Sequence, residues 1–168
     1  MELHLLHAHS WERRTPDWVA AGVAGLAAGA VLMVMELFWP TFSGSSTPWA
    51  TAHRVAAILI GPDALQTNGY SLGVVVAALF THYLLGVAFG MLLSMVIAPM
   101  HLDSSNSMAL VTGAVFGLLL YLVNFYVVER VFPWFAELRG WSTLVAHLVF
   151  GMTAAVLYRM LERHRSDQ

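Results

Sequence analysis

Four long apolar stretches, separated by polar segments, dominate the pattern of the chain. They cover about residues 18–39, 72–98, 108–128 and 141–158, and Glu36 is the only aspartate, glutamate, lysine or arginine within them. A helix needs about 20 apolar residues to cross about 30 Å of hydrocarbon at 1.5 Å per residue. Because backbone groups cannot stay unpaired in lipid, the pattern predicts four transmembrane helices rather than strands.

The only long connection between these stretches, residues 40–71, contains a shorter helical pattern. Ser46 or Thr47 can cap a helix that has a proline at its first position, and Gly61–Pro62 can end it. The residues between, about 49–60, would extend only about 18 Å as a helix, which is too short to cross the bilayer. We therefore predict an amphipathic helix lying at the outer interface.

The predicted fold class is all-α: a polytopic four-transmembrane-helix bundle with a short interfacial helix in its first outer loop. Residues 1–168 are expected to form a single transmembrane domain. The short polar connection over residues 99–107 predicts that the second and third spans are antiparallel neighbours. With four spans, both termini share a side, which then carries five arginines against three on the other. This bias favours both termini in the cytoplasm.

Composition supports a membrane protein and excludes several other classes. Hydrophobic residues make up 58% of the chain and charged residues 11%, whereas soluble domains carry about 25% charged residues. So few charges cannot form a water-facing surface, so the lipid bilayer is the expected partner. A net charge of −2 leaves no basic surface for a nucleic acid. The absence of cysteine excludes disulfides and cysteine-ligated metal centres.

The two halves of the chain resemble each other. Residues 36–42 and 129–135 both read Glu-x-x-aromatic-Pro-x-Phe, and His-x-x-x-Gly occurs at positions 82–86 and 147–151. Two spans in each half predict an internal repeat, related by an axis along the membrane normal. The alternative is a chance resemblance among apolar segments of low complexity.

Small residues line one face of each span. At such spacings they let helix backbones approach closely, which is a main source of helix association in lipid. The candidate packing glycines are Gly22 and Gly29 on the first span, Gly86 and Gly90 on the second, Gly113 and Gly117 on the third, and Gly151 on the fourth. A tight bundle explains them without a cofactor. Unused glycine faces could also pair two copies into a homodimer or join a larger membrane complex.

Polar side chains accompany these glycines. The candidates for an intramembrane site are Glu36, His82, Asn124, Glu129 and His147. Ionisable residues inside a membrane are costly and are functional candidates by default. The structural alternative is a neutral histidine that only forms a hydrogen bond across a helix pair. Glu129 lies well off the face that carries Asn124, and it could simply pair with the adjacent arginine or with water.

Three chemistries compete for such a site. Two neutral imidazoles, from His82 and His147, could ligate a b-type haem. Together with Glu36 they would also suit zinc, copper or non-haem iron. The same groups could relay protons without any metal. No nucleophile–base pair, phosphate loop or catalytic carboxylate pair is visible in the sequence, so no enzymatic activity is predicted.

The order of features along the chain also carries a family resemblance. A glycine-rich first span and a long outer loop are followed by Thr-His at positions 81–82, a glycine-opened third span and Ala-His-Leu-Val at positions 146–149. This order resembles the YagU-like family of small bacterial inner-membrane proteins over most of residues 20–165. The resemblance implies an inner-membrane location and a role in acid tolerance. His82 and His147 are the positions it would carry over, and no catalytic residues come with it.

The sequence thus predicts a small integral inner-membrane protein without enzymatic activity, in an accessory or stress-related role. One alternative is a redox or metal-binding membrane protein that uses His82 and His147. Another is a proton or small-solute pathway, which needs a cavity that reaches Glu36 and His82. These alternatives differ in geometry, because ligand histidines must converge with open space between them.

Overall fold

The computed structural model describes residues 14–44, 47–67 and 69–166. Within these ranges the chain is helical and contains no strand. Four helices are long and apolar enough to cross a membrane: Trp18–Trp39, Leu72–Met100, Asn106–Arg130 and Trp141–Glu162. The predicted all-α fold with four membrane-length helices is therefore confirmed, and the chain is a multi-pass membrane protein.

Five α-helices make up most of the described chain: α1 (Trp18–Phe42), α2 (Pro48–Ile60), α3 (Leu72–Met100), α4 (Asn106–Leu122) and α5 (Trp141–Ser166). A π-helical stretch, Val123–Val127, continues α4 and leads into a short 3-10 turn, Val128–Arg130. Two further 3-10 turns, Pro62–Gln66 and Pro133–Leu138, lie in the connections. The third span is thus an α-helix whose last part changes its winding.

Side-chain caps fix the starts of three helices. The Asp17 carboxylate accepts two first-turn backbone N–H groups of α1, each at 3.0 Å. Thr47 caps α2 with an accepted hydrogen bond of 3.3 Å, and Ser105 caps α4 with one of 3.1 Å. Gly61 ends α2 with φ of +92°, a conformation that favours glycine. The helix predicted in the first loop is therefore present, with Thr47 and Gly61 at its ends.

Two helices run past the prolines at which the sequence pattern places their ends. α1 continues two residues beyond Pro40, and α3 continues one residue beyond Pro99. A proline in the last turn removes a single backbone hydrogen bond, here the one to the Glu36 carbonyl, so the helix can end shortly after it. The Thr41 hydroxyl donates to the Leu37 carbonyl at 2.7 Å. α3 ends instead at His101, whose φ of +52° is left-handed.

The spans pack in the order α4, α5, α1, α3, and α2 lies against α3. α1 and α5 occupy the centre, while α3 and α4 make almost no contact with each other. The prediction that the second and third spans are packed neighbours is therefore wrong. The short connection between them limits their separation at one end only, and each helix packs instead on a different central partner.

Glycines set the two closest helix pairs, α1 with α3 and α4 with α5. A Cβ added at Gly90 would lie 2.5 Å from the Ala21 carbonyl oxygen and 2.7 Å from the Gly25 Cα. In the other pair, a Cβ at Gly113 or Gly117 would overlap backbone atoms of α5. A Cβ at Gly151 would overlap the Gly113 carbonyl oxygen in return. Each pair is thus in direct backbone contact.

On α1 the close contact falls on a glycine that the sequence pattern did not single out. A Cβ at Gly25 would overlap the Gly86 carbonyl oxygen. At Gly22 it would meet only side chains at an ordinary 3.8 Å, and at Gly29 the nearest atom is the Gly86 Cα at 3.7 Å. The seven-residue spacing pointed to Gly22 and Gly29. Small residues at every fourth position, Ala21, Gly25 and Gly29, are the pattern that identifies the α1–α3 contact.

A polar cluster closes the end of the bundle opposite α2. Arg14, just before α1, donates to the Asp103 carboxylate at 2.5 Å and to the Glu162 carboxylate at 3.0 Å. Arg159 of α5 donates to the Asp103 carbonyl at 2.7 Å. Burial raises the pKa of Asp103, but hydrogen bonds to Arg14 and Glu162 and the charge of Arg14 outweigh it, so the pKa is lowered. The cluster ties the start of α1 to the α3–α4 connection and to α5.

We expect Gly151→Ala to destabilise the protein by about 1–3 kcal/mol, the usual effect of forcing a methyl group into a packed interface. The melting temperature in detergent measures this loss. Gly73→Ala is the matched control, because a Cβ there meets nothing within 4 Å and alanine favours a helix. Equal melting temperatures for the two variants would contradict the α4–α5 backbone contact.

We expect Asp103→Asn to lower stability near pH 7 by about 1–3 kcal/mol, the range for hydrogen bonds between charged groups. Because the folded-state pKa of Asp103 is lowered, its contribution is complete above the unfolded pKa and is lost as the pH falls through the folded one. At pH values below about 4, the melting temperature of the wild-type protein should therefore decrease more than that of the variant. Asp63→Asn, at an exposed carboxylate, should leave the wild-type profile unchanged.

Candidate functional site

Four of the five predicted polar residues line one cavity. Glu36, His82, Asn124 and His147 surround a space of about 90 Å³ between α1, α3, the end of the third span and α5. The cavity lies where α3 and α4 separate, towards the end of the bundle that carries α2. Residues from four different spans therefore meet at one place, and open space lies between them.

His82 reaches across the α1–α3 contact. Its Nε2–H donates to the Gly29 carbonyl oxygen at 2.8 Å. One turn further along α3, Gly86 allows the close approach that makes this hydrogen bond possible. Nδ1, the second ring nitrogen of His82, has no hydrogen-bond partner in the described part of the chain. The imidazole thus keeps one nitrogen available to water or to a proton.

His147 is held on both sides. It is only 4% exposed, and its Nδ1–H donates to the Thr143 carbonyl one turn earlier in α5 at 2.8 Å. Nε2 accepts a hydrogen bond from the Asn124 amide at 3.3 Å. The rings of Tyr121 and Phe125 lie edge-on to the imidazole, at centroid distances of 5.9 and 5.5 Å. Both nitrogens of His147 are therefore used within the protein.

The π-helical stretch Val123–Val127 positions Asn124. A π turn changes the direction of the side chains that follow it, and such turns occur frequently at functional sites. Arg139 donates to the Phe125 carbonyl at 2.9 Å, and its guanidinium lies 4.4 Å from the Tyr126 ring centroid. Arg139 thereby supports the irregular backbone that presents Asn124. Nothing in the apolar pattern of this span predicts the change in winding.

Glu129 lies apart from the cavity. Its carboxylate pairs with Arg139 rather than with the adjacent Arg130. The pair forms because the chain folds back through the turn Pro133–Leu138. Of the five polar candidates, Glu129 is therefore the one that the structure separates from the others.

Glu36 lines three cavities. Besides the one shared with the histidines, it borders a space of about 110 Å³ that also touches Trp49 and His82. A third space of about 50 Å³ extends towards Ser142 and Thr143 at the start of α5. No described residue donates a hydrogen bond to the Glu36 carboxyl or pairs with it. This acid therefore depends on water, a proton or a cation for stabilisation.

The histidine pair does not fit a haem or a three-ligand metal centre. Among the described residues, no group of three or more histidine, aspartate or glutamate side chains could hold a metal ion. The Nε2 atoms of both His82 and His147 are engaged in hydrogen bonds. Pockets for larger ligands occupy about 300–1,000 Å³, which exceeds the 90 Å³ available here. The arrangement suits water and protons better.

No protein-family model, curated protein or solved structure matches the chain. Its function therefore has to be inferred from the residues around the cavity. Those residues supply one carboxyl, one amide and two imidazoles, with no nucleophile activated by a base among them. The chemistry that this set supports is hydrogen bonding and proton exchange.

We expect the two histidines to hold opposite tautomers. The hydrogen bonds require Nε2–H in His82 and Nδ1–H in His147. Nitrogen-15 NMR of histidine-labelled protein near pH 8 distinguishes the two forms, and His82→Gln and His147→Gln assign the signals. A shared tautomer would contradict the arrangement, because one imidazole would then direct a lone pair at a carbonyl oxygen.

Proposed function

We propose that this chain is a non-enzymatic, acid-responsive membrane protein that takes up a proton at Glu36. The observation that carries the proposal is a carboxyl that lines three cavities and has no partner among the described residues. An ionised carboxylate without a partner is costly in apolar surroundings. Proton uptake removes that cost, so the charge of Glu36 is the property of this site that acidification would change.

The surrounding groups support exchange of that proton with water. A cavity needs about 10–15 Å³ to hold one water molecule, so a space of about 90 Å³ has room for several. His82 can accept a proton on Nδ1 while Nε2–H stays bound to Gly29. Ser142 and Thr143 place polar groups beside Glu36 on the other side. Waters among these groups would connect the carboxyl with the imidazole.

The packing favours a site reached from one end over a pathway across the membrane. The four polar groups lie towards the α2 end, whereas the opposite half contains a close-packed core. Its buried members include Leu93, Ile97, Ala154, Ala155 and Tyr158, none more than 2% exposed. Protons would therefore enter and leave at the α2 end. A proton or small-solute pathway through the bundle is the alternative, and it would require this core to open.

We also propose how the protein is located and oriented in the cell. We place the α2 end at the outer face of a bacterial inner membrane and both termini in the cytoplasm, since arginines are more numerous on the terminal side. Glu36 would then face the compartment that acidifies first under external acid. This agrees with the acid-tolerance role implied by the resemblance to the YagU-like family, which is retained here as part of the proposal.

An internal repeat would account for the site's construction. Gly25, Gly29 and Glu36 on α1 have the same spacing as Gly113, Gly117 and Asn124 on the third span. Each of these glycine pairs packs against a helix that carries His-x-x-x-Gly. We propose that the halves descend from one helix pair, aligned by these glycines rather than by the Glu-x-x-aromatic-Pro motif. Asn124 then occupies the position equivalent to Glu36.

We expect Glu36→Gln to abolish the proton-binding signal of the site. Infrared spectra of the purified protein, recorded across a pH series, should contain a protonated-carboxyl band that weakens as the pH rises. That band should be missing from Glu36→Gln, because the amide cannot take up a proton. Glu137→Gln is the matched control, since this carboxylate is 65% exposed and pairs with Arg54 at the surface.

Three outcomes separate the candidate functions. A titrating carboxyl band that survives unchanged in Glu36→Gln would contradict the proposal. Proton flux through reconstituted wild-type protein that Glu36→Gln removes would favour the membrane-crossing pathway. Near-stoichiometric metal that is lost in His82→Ala would favour the redox or metal-binding alternative.

A further inference from the structure

Side chains from three helices bring oxygen atoms to one small cavity at the α2 end of the bundle. Glu36 of α1, Thr51 of α2, and Ser142 and Thr143 of α5 line this space of about 50 Å³. Its other lining side chains are apolar or aromatic, and no described lysine, arginine or histidine borders it. One carboxyl and three hydroxyl groups therefore supply the side-chain oxygens around this space.

Thr51 has a hydroxyl without a partner. The residue is only 8% exposed, and its side chain forms no hydrogen bond within the described ranges. Thr51 and Glu36 also line the neighbouring space of about 110 Å³, so the same two side chains border both volumes. An unpaired hydroxyl in a buried place is costly. The Thr51 hydroxyl is therefore available to bind an occupant of the cavity.

The start of α5 supplies two more hydroxyl groups. Thr143 donates its hydroxyl hydrogen to the Leu138 carbonyl at 2.8 Å, which leaves the lone pairs of its oxygen as acceptors. The Ser142 hydroxyl makes no hydrogen bond in the described part of the chain. Both oxygens, like that of Thr51, can therefore accept a positively charged group.

The charge of an ionised Glu36 is not neutralised by any described side chain. Arg54 of α2 pairs with Glu137 at 2.9 Å, and Arg139 pairs with Glu129. A buried charge without a partner is costly, and a bound ion of opposite charge removes that cost. One monovalent cation would cancel the single negative charge, whereas a divalent ion would leave an excess positive charge in apolar surroundings.

The donor set and the size of the cavity favour a small, hard ion. Oxygen ligands suit hard cations, whereas zinc, copper and iron prefer sites with imidazole or thiolate ligands. A cavity needs about 10–15 Å³ to hold one water molecule, so a space of about 50 Å³ has room for one ion and a few waters. Sodium is smaller than potassium, so it suits this confined space better.

We propose that this cavity is a sodium site. The Glu36 carboxylate neutralises the ion, and hydroxyl oxygens of Thr51, Ser142 and Thr143 coordinate it, with water completing the shell. Binding links α1, α2 and α5 where their ends meet. A sodium ion and a proton then exclude each other at one carboxyl, so sodium opposes proton uptake. That competition rests on the proposed function, whereas sodium binding itself does not.

The first test measures sodium binding through stability. A ligand that binds only the folded protein raises its melting temperature. In detergent at about pH 8, sodium chloride at about tenfold its dissociation constant should raise the wild-type melting temperature by about 2–5 °C over equal potassium chloride. Glu36→Gln should lose this gain, while Glu137→Gln, at an exposed carboxylate, should keep it. Equal wild-type melting temperatures in the two salts would overturn the proposal.

The second test removes one hydroxyl. Thr51→Val keeps the shape of the side chain without its oxygen, and it should raise the sodium concentration for half the melting gain about tenfold or more. Thr81→Val is the matched control, because the Thr81 hydroxyl is also buried without a partner but does not line the cavity. Thr51→Ser, which retains a hydroxyl, should restore most of the response. Equal sodium responses in Thr51→Val and Thr81→Val would overturn the site.

The carboxyl band of Glu36 separates this site from the proposed function. In wild-type protein at a fixed pH, sodium should weaken the protonated-carboxyl band more than potassium does, because bound sodium excludes the proton. A band that is the same in both salts, together with equal melting temperatures, would overturn the sodium site and leave proton uptake in place. A missing band with a sodium-dependent melting temperature would overturn the proposed function alone.

Discussion

Backbone contact at glycines is the constraint on which the rest of this structure depends. In lipid, apolar side chains gain little by leaving one apolar environment for another, so close packing has to hold the helices together. Gly25 with Gly86 and Gly113 with Gly151 bring two pairs of helices into direct contact. The same contacts place His82 within reach of the Gly29 carbonyl and leave α3 and α4 apart. The cavity occupies the space that this pairing leaves unfilled.

The sequence predicts the features that the bilayer imposes directly. Four spans follow from the length of apolar helix needed to cross hydrocarbon, and α2 follows from a capping threonine and a terminating glycine. The pairing of the spans could not be predicted from loop length, because a short connection restricts separation at one end only. Gly25 could have been predicted as a contact residue, because small residues occur at every fourth position around it. The π-helical stretch was not, since its support comes from Arg139, beyond the span.

The sequence identifies which polar residues are candidates for a site, but it says little about the groups to which they form hydrogen bonds. Glu36, His82, Asn124 and His147 stand out because polar groups are rare in apolar spans, and they do line one cavity. His53 of α2 is 2% exposed and contacts the carbonyl oxygens of Ala64 and Gly69, and no feature of the sequence indicates these contacts. Its two carbonyl partners lie 11 and 16 residues away in a segment without periodicity. Every residue carries a backbone carbonyl, so the sequence does not show which carbonyl a side chain will bind. Hydrogen bonds of this kind are therefore seen only in the folded chain.

The near absence of contact between α3 and α4 has a mechanical consequence. Each glycine-packed pair is held by direct backbone contact, and the two pairs meet mainly along α1 and α5. A rotation of one pair against the other about that line would change the width of the gap between α3 and α4 while leaving both glycine contacts in place. A bilayer whose thickness does not match the helices favours a change in helix tilt, and a tilt of one pair against the other would be such a rotation. The lipid composition around the protein would therefore adjust how much water the polar cavity can hold.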